Sequence, residues 1–89
     1  MDKATFLQSL AQDQFPEPVL VVRDPGSMDE HSHPFESKAL ILEGSLSLTI
    51  KGMTKEYTAG EVFHLMYQEN HSESYGPKGV QYLVSRKEK

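Results

Sequence analysis

From Val19 onward, short β-branched or alternating runs are separated by glycine- or proline-bearing turns, and this punctuation restricts the fold more than any other feature. Residues 19–23 (Val-Leu-Val-Val-Arg) stop at Asp24-Pro25-Gly26, where proline fixes φ and glycine permits a reversal. Leu46, Leu48 and Ile50 alternate with Ser45, Ser47, Thr49 and Lys51, a period of two with one buried face. Gly44-Ser45, Lys51-Gly52, Ala59-Gly60 and residues 76–79 (Gly-Pro-Lys-Gly) mark turns. The spacing predicts strands over residues 19–23, 28–33, 37–43, 45–51, 54–58, 62–66, 71–75 and 80–85. Val80, Tyr82 and Val84 share one face of the last. About seven or eight such strands imply an all-β sandwich or barrel. One helical signal precedes them. Phe6, Leu7 and Leu10 make a stripe over residues 2–12, Asp2 can cap it, and Phe15-Pro16-Glu17-Pro18 ends it. The chain divides into a helix and lead-in over residues 1–15 and a β domain over residues 16–89.

A chain of 89 residues holds one domain. A domain this small buries only about 60–65% of its unfolded surface, so its core is marginal. There is no cysteine, hence neither a disulfide nor a thiolate metal site. Support is expected from a metal or from a partner subunit. With 9 basic and 13 acidic residues, the composition argues against a nucleic-acid surface. The one basic cluster, residues 86–89, reads as a solvated tail. No apolar stretch nears the roughly 20 residues of a membrane span, and no leader pattern opens the chain. The expectation is a cytoplasmic protein without nucleic-acid or membrane partners, and Asn70-His71-Ser72 is a chance match to a glycosylation acceptor.

The chemistry lies in HSHPFESKALILEG, residues 31–44. His31 and His33 are two apart, so on an extended strand their imidazoles point the same way. His71 lies a hairpin later. Three neutral imidazoles, with Glu36 as a carboxylate, form a ligand set for a divalent transition metal, and imidazole suits iron, manganese, nickel or zinc alike. His64 reads better as a barrel histidine hydrogen-bonded to backbone than as a ligand. Ala39 and Ile41 share the parity of the two histidines and should line the pocket. Tyr75, four residues after His71, faces the same way and either contacts a bound molecule or fills the barrel. Leu40 and Leu42 then face outward, and four apolar residues in a row predict cover on both faces, which points to a dimer interface. Met28, Met53 and Met66 read as core filler.

These residues resemble the cupin superfamily, specifically its small single-domain members. His31-Ser32-His33 and Gly44 match the first family motif, which also carries a glutamate between them. Thr58-Ala59-Gly60, then Met66 to His71, follow the second motif, with threonine, methionine and glutamine where proline and glycine are usual, and Tyr75 where an asparagine is usual. The resemblance covers residues 19–85. It implies a double-stranded β-helix, a jelly-roll barrel with a metal at its mouth, and a homodimer. The family glutamate would stand at 37, where this chain has Ser37. Glu36, one residue early, points away on a regular strand and inward only if Pro34 introduces a bulge or loop between His33 and Glu36. Glu36 or water completes the site.

Two functions follow. One is a metal-binding barrel that takes a small organic ligand, with dioxygenase- or isomerase-like chemistry at most. The other is a non-catalytic sensing or binding module, like the ligand-binding domain of AraC-type regulators, although no helix-turn-helix pattern is present in these residues.

Overall fold

Two long strands carry the architecture. The computed structural model describes residues 1–88 and contains α1 (Lys3–Gln12), β1 (Val19–Arg23), β2 (Gly26–His31), β3 (Phe35–Ile50), β4 (Met53–Thr58), β5 (Val62–Leu65) and β6 (His71–Glu88). All pairings are antiparallel, in the order β1-β6-β3-β4, with β2 also on β6 and β5 also on β3. Each long strand serves two neighbours in turn. The first half of β3 pairs with β5 and its second half with β4. The first half of β6 pairs with β2 and its second half with β1. The sheet is therefore rolled into two facing layers, a double-stranded β-helix.

The sequence signals at Gly44 and at residues 76–79 mark bends inside strands, not the turns expected there. β3 and β6 stay paired on both sides of the bend, with register shifts between Ile41 and Glu43 and between Gly44 and Leu46. A bulge reverses which parity points inward. Ala39 and Ile41 are buried before it, Leu46 and Leu48 after it. The same reversal on β6 takes the inward face from His71 to Val80, Tyr82 and Val84. These side chains, with Phe63 and Leu65, fill the barrel.

A second cluster lies outside the barrel. Asp2 accepts a hydrogen bond from the Thr5 N–H at 2.8 Å and caps α1 as expected. Phe6 and Leu10, with Phe15 from the lead-in, cover Leu40 and Leu83 on the outer sheet face. Leu40 is only 2% exposed. The outward-facing apolar residues read as a dimer surface are thus covered by the chain's own helix. Apolar surface remains open on edge strand β1, at Val19, Leu20 and Val22. Met28, Met53 and Met66 are exposed rather than core filler; Met53 borders the hairpin turn and Met66 follows the end of β5.

The expected basic tail is also strand. Residues 86–88 pair with residues 35–37 of β3; Lys89 lies outside the described residues. Lys38 ion-pairs with Asp13, and Lys87 Nζ donates to the Asp13 carbonyl at 2.9 Å. The Lys38 hydrogen bond and charge hold the Asp13 carboxyl below its usual range. Ser85, fully buried, donates its hydroxyl to the Pro16 carbonyl at 2.6 Å and ties the lead-in to β6. Ser85→Ala removes that donor and leaves the carbonyl of the exposed Pro16 to water. A loss of about 0.5–1.5 kcal/mol is expected, read in a urea melt as a lower midpoint with an unchanged slope. An unchanged midpoint would show that the lead-in is not held by this bond. Among the described residues, no helix is long and apolar enough to cross a membrane.

Candidate metal centre

The end of β2 meets the start of β6 with His31 directly opposite His71. Cross-strand partners share a face, so the two rings meet, with centroids 4.3 Å apart. His33 lies two residues beyond His31, and its ring centroid is 4.9 Å from His31 and 5.5 Å from His71. One donor atom from each of the three rings lies within 4.8 Å of the others. The loop before β6 secures His33: the Gln68 N–H donates to its carbonyl at 2.9 Å, and the Ser32 hydroxyl donates to the Gln68 side chain at 3.3 Å. Phe35 stacks on the His33 ring at 4.9 Å.

The hydrogen bonds select the tautomers. His71 Nδ1 lies 3.0 Å from the Glu69 carbonyl, and His31 Nδ1 lies 2.6 Å from the Asp29 carbonyl. A carbonyl only accepts, so each Nδ1 carries a proton, and in the neutral ring it is Nε2 that offers the lone pair a metal needs. Burial, and then the positive charge that His31 or His71 carries when protonated, lower the His33 pKa from its ordinary value, which favours its neutral ring. His71 is 1% exposed, and its Nε2 has no hydrogen-bond partner. An orphaned buried acceptor costs about 1–3 kcal/mol, and a cation satisfies it. The donor set fits a divalent transition metal.

Above the histidines is a cavity of about 100 Å³. Arg23 and Arg86 line it, and among the described residues neither is ion-paired. A larger cavity of about 470 Å³ lies between α1 and the lead-in, beside Leu7, Leu10 and Phe15. It contains no histidine, so the chemistry belongs to the smaller one.

The other expected site residues lie elsewhere. β3 is regular from Phe35, so even positions face outward and Glu36 leaves the histidines. It hydrogen-bonds His64, itself half-exposed on the outer face with its ring edge toward Phe15. His64 is thus neither a pocket residue nor bonded to backbone. Ala39 and Ile41 do face inward, but they lie in the solid core beneath the cavity, and Ser37 lines it instead. Tyr75 packs against that core and donates its hydroxyl to Glu73 Oε1 at 2.6 Å. Burial, and then that bond, push the Tyr75 pKa up.

Glu73 is the residue the sequence reading missed. It lines the cavity, its side chain is 10% exposed, and its Oε2 lies 3.6 Å from His71 Nε2. The signal was available, because His71-Ser72-Glu73 repeats the i, i+2 spacing of His31 and His33.

The rolled, two-layer sheet has counterparts among solved structures. It superposes on a cupin-2 domain protein from Shewanella frigidimarina with a TM-score of 0.68, covering 92% of this chain and 91% of that one at 16% identity. The chain folds as a small cupin. EutQ of Clostridium difficile superposes at a TM-score of 0.73 over 89% of this chain, with 11% identity. The polyketide cyclase RemF from Streptomyces resistomycificus does so at 0.63 over 85%, with 28% identity. This chain spans 61% of the length of EutQ and 58% of that of RemF. No protein-family model and no curated protein matches the sequence.

Proposed function

We propose that this cupin holds a divalent transition metal on His31, His33 and His71 and presents it to a small organic anion in the barrel mouth. The buried, unpartnered Nε2 of His71 carries this reading. When bound, the ion supplies a Lewis acid that polarises a ligand oxygen. The chain's own residues do the rest. The Glu69 and Asp29 carbonyls hold two imidazoles in the ligating tautomer. Phe35 and the Gln68 backbone keep His33 in place. Arg23 and Arg86 favour a negatively charged ligand, since guanidinium matches a carboxylate in shape and charge. A volume of about 100 Å³ restricts the enclosed part of that ligand to a few heavy atoms.

Untagged protein, purified without added metal, should contain close to one equivalent of iron, manganese, nickel or zinc by elemental analysis. His33→Ala should lower metal content and melting temperature together, because binding to the folded state adds stability by mass action. Unchanged metal content would remove His33 from the site. One structural neighbour is an enzyme by name, a polyketide cyclase. A panel of small carboxylates should therefore be assayed for turnover and for binding, and binding alone would make this cupin a sensing or storage module.

A further inference from the structure

We propose that Glu73 is the fourth protein ligand of the metal, supplied by β6 in place of the carboxylate missing at Ser37. This rests on the metal-binding reading above and goes beyond it in naming a donor from the third histidine's own strand. His71, Glu73 and Tyr75 occupy alternate positions of β6 and so share one face. His71 Nδ1 donates to the Glu69 carbonyl, which leaves a lone pair on Nε2. That lone pair faces Glu73 Oε2 at 3.6 Å. In the neutral ring both atoms are acceptors, both side chains are almost wholly buried, and Nε2 has no hydrogen-bond partner among the described residues. Two facing acceptors in a low-dielectric pocket repel unless a cation lies between them. The separation also suits a shared ion. Two donors each about 2.1 Å from one ion lie about 3.0 Å apart at a right angle and about 3.4 Å apart at the tetrahedral angle, so a small closing movement brings both onto one ion.

The rest of the carboxylate is already oriented. Tyr75 donates to Oε1 and so turns Oε2 toward His71, which makes Tyr75 a positioning residue. Glu36 cannot serve, because it is engaged by His64 on the outer face. The resulting set has three nitrogens and one anionic oxygen, which leaves open positions for a ligand on a six-coordinate ion such as iron(II) or manganese(II).

The test is titration of metal-free protein with cobalt(II), read by visible absorption and by competition against a chromophoric chelator. Glu73→Gln should bind cobalt at least about 10-fold more weakly than the unaltered protein and with a changed spectrum. Glu73→Asp retains the charge but withdraws the oxygen by one methylene, so it too should change the spectrum. Glu36→Gln should match the unaltered protein in both readouts. Far-UV circular dichroism and a thermal melt of each metal-free variant separate lost ligation from lost folding. Wild-type affinity and spectrum in a folded Glu73→Gln or Glu73→Asp variant would overturn Glu73 as a ligand and leave the three-histidine site standing. Failure of the unaltered protein to take up cobalt would overturn the metal-binding reading as well.

Discussion

His71→Ala should abolish the thermal response of this protein to metal. At a free metal concentration about a thousand times the dissociation constant, binding to the folded state adds about 4 kcal/mol. For a domain of this size each kcal/mol moves the melting temperature by about 4–8 °C. The unaltered protein should therefore gain roughly 15–30 °C when zinc or cobalt is added to the metal-free form. The alanine variant should gain nothing measurable. The metal-free variant is expected to melt close to the metal-free parent, because two effects oppose each other. Removing a ring that is 1% exposed leaves a cavity and costs stability. Removing its orphaned Nε2 relieves an unsatisfied buried acceptor. The contrast between the two states is what identifies ligation. A variant that still gains 15 °C or so with metal would show that His71 is a packing residue and that the ion sits elsewhere.

The histidine cluster could be read from the chain because parity on an extended strand is a short-range rule. β2 ends at His31, short of the strand expected to run to His33, yet both rings still reach one cavity, and His71 arrives from another strand, which the motif order supplied. Glu36 obeyed the same rule and was lost to the site for that reason. The chain leaves the sheet between β2 and β3, over residues 32–34, but β3 is already in regular register on β6 at Phe35 and Glu36, so the break at Pro34 does not turn Glu36 inward. The inward parity changes from odd at Ala39 and Ile41 to even at Leu46 and Leu48, and that change was visible in the residues before any coordinates. Gly44 stands within it and gives it the local signature of a turn. A glycine between two apolar runs has the same local appearance whether the chain reverses or only bends, and the choice is made by pairing partners far away in sequence. The run from Ala39 to Leu42 correctly predicted cover on both faces. Which element provides the cover is a tertiary matter, and here α1 does so with Phe6 and Leu10. The resemblance directed attention to a carboxylate between His33 and Gly44, and Glu73 lay outside that window.

Gly44→Ala should be strongly destabilising, costing about 2–5 kcal/mol. Gly44 has φ +75°, a conformation that costs an alanine about 1–2 kcal/mol on its own. A Cβ there would also stand 2.1 Å from the Gly79 carbonyl oxygen, so two backbones would have to separate by nearly an ångström, an overpacking cost of about 1–3 kcal/mol. Gly79 is just as confined, with a Cβ position 2.3 Å from the Arg23 carbonyl oxygen. The backbones of β3, β6 and the end of β1 therefore converge where the sheet bends. Gly52 is the matched control. It has φ +78° in the β3–β4 hairpin turn, and a Cβ there would meet nothing within 4 Å. Gly52→Ala should show the backbone cost alone. Denaturant melts of the two variants thus separate left-handed strain from backbone crowding. The whole domain is held by only about 5–13 kcal/mol, so the Gly44 variant should have a clearly populated unfolded fraction at 37 °C while the Gly52 variant stays folded. Because the bend carries β6 from its core-forming half to the half with His71 and Glu73, the Gly44 variant should also bind metal more weakly without touching a ligand. Equal losses of stability in the two variants would show that the strands do not approach closely at Gly44 and that the bend has another cause.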